Sequence, residues 1–165
     1  MDDHEAAFLQ AALKLYVEYL GYLQDSGDQD FDGLIQQAVI QIQSGIKAMT
    51  YRQEGETRTG RLDRIRYLLI DEYQDFSFLF HALVDAIMGI SDHAEVFAVG
   101  DDWQAINRFA GSDLRYFRGF GNYFDSPKEF LLPNNYRSDQ AIVEASNSLM
   151  TGYGEKSIAI RERHG

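Results

Sequence analysis

Two short apolar runs organise this chain. Tyr67-Leu68-Leu69-Ile70 ends in Asp71-Glu72, and Val96-Phe97-Ala98-Val99 ends in Gly100-Asp101-Asp102. A brief apolar run bounded by polar residues suits a strand buried on both faces, as in a parallel sheet covered by helices. The segment between the runs has room for a crossover helix from about Ser77. Phe76, Phe80, Leu83 and Ile87 form its stripe, and Gly89 sits where a helix end favours glycine. A third strand is expected at 130–132, stopped by Pro133, and a last helix over 138–150 with Ile142, Ala145 and Leu149 inward. Strands alternating with helices predict an α/β fold with a parallel sheet.

The residues before the first run read differently. Leu9, Leu13, Tyr16, Leu20 and Leu23 alternate steps of four and three, which places them on one face of a helix over 5–24. Asp25-Ser26-Gly27-Asp28 breaks it. A second helix is expected from about Asp32, capped by Asp30 or Asp32, with Ile35, Val39, Ile42 and Ile46 on its buried face. Residues 50–63 are polar, glycine-containing and aperiodic, and read as a loop.

Composition narrows the chemistry. The chain has 165 residues, 45% of them hydrophobic, which suffices for one core or one core plus part of a second. It contains no cysteine, so disulfides and thiolate metal sites are excluded. His4, His81, His93 and His164 lack ligand spacing. No apolar run is long enough to span a membrane and the acidic N-terminus does not read as a signal peptide, so a cytoplasmic location is expected. The formal net charge of −11 is unusual for a nucleic-acid partner. It is unevenly spread: Lys47, Arg52, Arg58, Arg61, Arg64 and Arg66 cluster within 47–66, a run that reads first as a solvated loop and second as a DNA-contact patch.

In open α/β sheets, ligands bind beyond the carboxyl ends of the strands. Here two strands deliver acids to that edge. An apolar strand followed by Asp-Glu suits nucleotide hydrolysis: the first carboxylate can hold Mg²⁺, and the second can polarise the water that attacks a phosphate.

Several segments together carry a resemblance. Asp71-Glu72-Tyr73-Gln74-Asp75 resembles motif II of the UvrD/Rep family of superfamily 1 DNA helicases. The stretch from Val99 through Gly100-Asp101-Asp102-Trp103-Gln104-Ala105-Ile106-Asn107-Arg108-Phe109 to Gly111 resembles motif III, in wording most like the helicase IV branch. Asn135-Tyr136-Arg137-Ser138 resembles motif IV, and Phe31-Asp32-Gly33-Leu34-Ile35 is similar to the family's acidic segment upstream of motif II. The resemblance covers about Asp30 to Met150. It implies part of a RecA-like P-loop NTPase core in an ATP-dependent 3′–5′ helicase, with ATP and Mg²⁺ as cofactors, single-stranded DNA as substrate and the remaining helicase domains as partners. Residues 1–27 would be the end of the inserted helical subdomain. Residues 28–128 would be the rear half of the first RecA-like domain, and 129–165 the start of the second.

The residue roles follow from the same resemblance. Asp71 would coordinate Mg²⁺ and Glu72 would be the catalytic base. Gln104 would contact the γ-phosphate, Arg137 would neutralise transition-state charge, and Tyr136 would stack on adenine. Phe109 would stack on a base of the single strand. The family commonly has an aromatic at the position of Asn107, a second DNA platform that asparagine does not replace. The bland alternatives are that Tyr73 and Gln74 begin the next helix, that Trp103 and Phe109 are core aromatics, and that Tyr136-Arg137 is a helix N-terminal pair. No Gly-x-x-x-x-Gly-Lys-Ser/Thr occurs. Gly152-Tyr153-Gly154-Glu155-Lys156-Ser157 is the nearest approach, with glutamate where lysine belongs. An internal fragment of such a motor would explain this, with little ATPase activity of its own. The competing reading is a degenerate relic that serves as a protein-interaction module.

Overall fold

The computed structural model describes residues 2–161. The end of the 129–165 segment, and His164 with it, lies outside the described residues. The chain is a mixed helix–strand fold with small two-stranded sheets. It packs as two compact units, one of residues 1–68 with 78–95 and the other of 69–77 with 96–165.

In the first unit, α1 (Asp3–Ser26) starts two residues before the expected 5–24 helix, behind Asp2 as N-cap, and α2 (Phe31–Gln43) starts behind the expected Asp30 cap. Asp30 accepts the Gly33 N–H at 2.7 Å and the Tyr19 hydroxyl at 2.9 Å, tying the two helices together. Both bonds favour the ionised carboxylate: the Gly33 N–H first, then the Tyr19 hydroxyl, hold Asp30 below its ordinary range, and the same contact raises the Tyr19 phenol. Val39 and Ile42 of α2 meet Ala86 of α3 (Phe78–Ile90), with Leu62, Leu83 and Ile87 packed around them. Each large aliphatic side chain buried here contributes roughly 1.5–3 kcal/mol.

Four expectations for this unit are corrected. The apolar face of α1 is present but uncovered: Leu9, Leu13, Tyr16 and Leu20 are exposed, and the helix has no buried residue. Ile46 is likewise exposed and lies beyond the end of α2. Gly89 lies inside α3 and does not end it. Residues 50–63 are mostly an antiparallel hairpin, β1 (Ala48–Gln53) and β2 (Glu56–Arg61), in place of the expected loop. Its two-residue turn has positive φ at both Glu54 (53°) and Gly55 (84°), the primed geometry that matches strand twist. Glutamate in a position that favours asparagine hid this signal.

The strands at the chemical edge are β3 (Tyr67–Ile70) and β4 (Glu95–Ala98), which pair with each other. Glu95 N–H bonds the Arg66 carbonyl at 2.8 Å and Val99 N–H bonds Ile70 at 2.9 Å, so both strands advance in the same direction. They are parallel, as expected. They are not buried on both faces: exposed and half-buried residues alternate, and Leu69 is 76% exposed. A two-stranded sheet has one face to cover its core and one left open.

The second unit is held by aromatic rings. Tyr73 packs on Phe76 at 4.5 Å between centroids and on Phe120 at 5.5 Å, while Tyr116 of α4 (Leu114–Arg118) meets Phe76 edge-on at 5.8 Å. The expected strand at 130–132 forms no regular element, with Phe130, Leu131 and Leu132 exposed. Pairing begins after Pro133 instead, in β5 (Asn134–Asp139), parallel to β6 (Ile158–Arg161). The last helix is α5 (Gln140–Leu149), and its buried residue is Val143; Ile142, Ala145 and Leu149 are exposed. The glycine-rich Gly152–Ser157 stretch follows α5 and leads into β6, the reverse of the strand-to-helix order a phosphate loop needs.

Candidate nucleotide site at the carboxyl ends of the parallel strands

Asp71 leaves β3 as an exposed carboxylate, and its Oδ1 accepts the Glu72 N–H at 2.9 Å. Glu72 is left-handed (φ 52°, ψ 43°), a conformation that costs a non-glycine residue roughly 1–2 kcal/mol. Such strain persists only where the surroundings hold it. They do so here. Glu72 starts a single 3₁₀ turn, Tyr73–Asp75, whose first N–H bonds the Val99 carbonyl at 2.9 Å and so extends the pairing with the neighbouring strand. Tyr73 and Gln74 are therefore not the start of α3 but a separate buried turn, each 2% exposed.

Gln74 is the brace of the site. Its Nε2 donates to Glu72 Oε2 at 2.6 Å, and its Oε1 accepts the Asp101 N–H at 2.9 Å. One buried amide thus joins the acid after β3 to the loop after β4. Gly100 makes room for it, because a Cβ at that position would lie 2.5 Å from Gln74 Oε1 and 2.9 Å from Phe117 Cε2. Glycine is used here for close approach, not for an unusual φ.

Asp101 organises the next turn. Its Oδ1 accepts the Trp103 N–H at 3.0 Å and its Oδ2 accepts Gln104 Nε2 at 2.8 Å. Asp102 takes both Arg118 contacts, at 3.1 and 3.3 Å. Trp103 is half-buried, with its indole N–H on the Tyr153 carbonyl at 2.6 Å, and is not a core aromatic.

Asp71, Glu72 and Gln104 therefore share the carboxyl end of the strand pair. The other expected residues are placed separately. Phe109 is 90% exposed in a short turn, Arg108–Ala110, and is not a core aromatic either. Asn107 is half-buried, and its Nδ2 bonds Asp75 Oδ2 at 2.7 Å, a structural tie and not an open platform. The other oxygen of Asp75 is buried without a hydrogen-bond partner. Tyr136 and Arg137 lie in β5 and are exposed, so they are not a helix N-terminal pair. Asn135 Oδ1 accepts the N–H groups of Arg137 and Ser138 at 2.9 and 2.8 Å, at the irregularity in the strand register. Among the described residues, the Arg137 guanidinium makes no hydrogen bond or ion pair with Asp71, Glu72 or Gln104.

The braces Gln74, Asp75 and Asp101 went unassigned by sequence reasoning. An amide between two acids, four residues past the strand end, with a glycine before the next acid pair, is the signal that could have found them. The edge offers exposed carboxylate oxygens to a hard cation. Among the described residues no three metal-ligating side chains cluster.

The profile of the UvrD/REP helicase N-terminal domain family matches residues 2–125. The chain is 31% identical over 146 residues to the ATP-dependent DNA helicase UvrD1 of Mycobacterium tuberculosis, covering 86% of this chain and 18% of that protein. It is 32% identical over 127 residues to DNA helicase IV of Escherichia coli, covering 77% and 16%. It is 30% identical over 138 residues to the ATP-dependent DNA helicase Rep of Buchnera aphidicola, covering 84% and 19%. The chain spans less than a fifth of the length of these relatives.

Proposed function

We propose, from the premise that this chain belongs to the UvrD/REP helicase family, that it forms the hydrolytic edge of an ATP-driven 3′–5′ DNA helicase. Residues 1–27 belong on this reading to the end of an inserted helical subdomain, 28–128 to the rear half of a first RecA-like domain, and 129–165 to the start of a second. The motor works in the cytoplasm. Among the described residues no helix is long and apolar enough to cross a membrane.

The observation that carries this reading is the pair of parallel strands whose ends are joined through buried Gln74. Bound Mg²⁺ supplies charge neutralisation to the phosphates. The chain's own residues do the following. Asp71 offers its carboxylate to the cation. Glu72, with one oxygen held by Gln74, points its remaining acceptor capacity at a water and takes its proton. Gln104, oriented by Asp101, donates to a terminal phosphate oxygen. Arg137 supplies a guanidinium fork to the developing charge, and Tyr136 a face for the base. Exposed Phe109 stacks on a DNA base, a contact worth about 1–3 kcal/mol. Asn107 supports that loop through Asp75 and contributes no second stacking face.

Titration of the isotope-labelled chain with Mg-ATP, followed by backbone amide NMR, tests the site. Millimolar nucleotide is expected to shift the amides of 71–74 and 101–104, and Asp71→Asn to remove the response. Shifts elsewhere, or none, would overturn the assignment.

A further inference from the structure

We infer that one face of the β1–β2 hairpin binds the phosphodiester backbone of DNA. The register places Ala48 opposite Arg61, Thr50 opposite Thr59 and Arg52 opposite Thr57. Directly opposed residues share a side of the ladder, so Arg52, Arg61, Thr50, Thr57 and Thr59 form one strip. Every residue of both strands is exposed except half-buried Gly60. A ribbon open on both sides gains little from burial, and packing does not account for its side chains.

The chemistry of the strip is one-sided. It holds two guanidiniums and three hydroxyls and no acid. Glu54 is in the turn and Glu56 opposes Gln53 on the other face. Arg61 is held in place by Asp63, whose oxygens lie 2.8 Å from Nε and 2.5 Å from Nη2. Among the described residues, Arg52 makes no such ion pair. Arginine and threonine side chains are typical donors to phosphate oxygens. From Arg52 to Arg61 the strip runs about 13 Å at the strand rise, the length of about four nucleotides of one strand.

Charge distribution selects the partner. Residues 47–66 hold six cations and three acids, while the rest of the chain holds nine cations and twenty-three acids. A positive ribbon on an acidic protein suits a polyanion held at that place and repelled elsewhere. The identity of the polyanion as DNA rests on the proposed helicase function.

The test is fluorescence anisotropy with the whole chain, using a labelled oligothymidine and a labelled blunt duplex over a salt series starting at low salt. Arg52→Ala is expected to reduce the log–log salt slope by about 0.7 on the single strand or about 0.9 on the duplex, and the arm that responds identifies the strand form. Joint replacement of Thr50, Thr57 and Thr59 by valine keeps strand propensity and is expected to weaken binding several-fold. Arg58→Ala removes the same charge from the opposite face and is expected to keep the wild-type slope. Equal loss in Arg52→Ala and Arg58→Ala, unchanged slopes throughout, or no binding by the wild type at low salt would overturn the proposal. Phe109→Ala separates the two readings. If it alone abolishes binding, the hairpin proposal fails and the stacking role stands. If it changes nothing while the hairpin variants lose affinity, the stacking role fails and the hairpin proposal stands.

Discussion

Gln74 is the residue on which the site's geometry turns. Truncation to alanine leaves the part-buried Asp101 N–H without its acceptor and frees Glu72, a lost hydrogen bond worth about 0.5–1.5 kcal/mol. Gly100→Ala forces a methyl group against the same amide and the Phe117 ring, a strain of about 1–3 kcal/mol. The two substitutions act on one contact, so their effects are not additive. Thermal denaturation should show both single variants destabilised and the double variant less destabilised than the sum. Additive losses would mean that Gly100 and Gln74 are not coupled. Neither residue carries a role that a motif reader would assign, because a glutamine between acids reveals its use only when the next strand end is brought beside it.

At the scale of the element, α2 shows how a local signal survives folding. Its aspartate cap and most of its apolar face follow from capping chemistry and periodicity, and the structure agrees at Asp30, Val39 and Ile42 but ends the helix before Ile46. Because Asp30 is held below its ordinary range, its contribution to stability is fully present above the unfolded carboxylate's pKa. It is lost as pH falls through the lower folded value. Asp30→Asn keeps a capping oxygen but cannot titrate. The thermal midpoint of the wild type is therefore expected to exceed that of Asp30→Asn at neutral pH, and the advantage to disappear as pH falls below the ordinary carboxylate range. An advantage that persists or grows at acid pH would show that the charge is not the cause. The hairpin and β5 were harder to read. Glu54 occupies a left-handed position that glycine or asparagine ordinarily marks, and β5 has Tyr136 as its only apolar side chain.

For the whole molecule, the edge that would act on a phosphate lacks the backbone cradle and lysine that usually anchor one, since no phosphate loop occurs in these 165 residues. The chain by itself is expected to release phosphate from ATP no faster than its Glu72→Gln variant. Steady turnover that vanishes on that substitution would show that Asp71 and its neighbours suffice to hold the nucleotide. The sequence by itself determined the parallel strand pair, the acids at its end and the helices around it. Those follow from local patterning: apolar runs, caps and polar stops act within a few residues. It also carried the segments whose wording resembles the family's motifs. Only the tertiary structure decided which faces are covered. It left one face of the β3–β4 pair and the whole of α1 open, and turned Val143 inward in place of Ile142. It likewise decided that Asn107 serves Asp75, that Phe109 stands in solvent, and that Arg52 and Arg61 share one side of a ribbon. Burial and long-range hydrogen bonds depend on partners dozens of residues away, and periodicity within one segment carries no record of them.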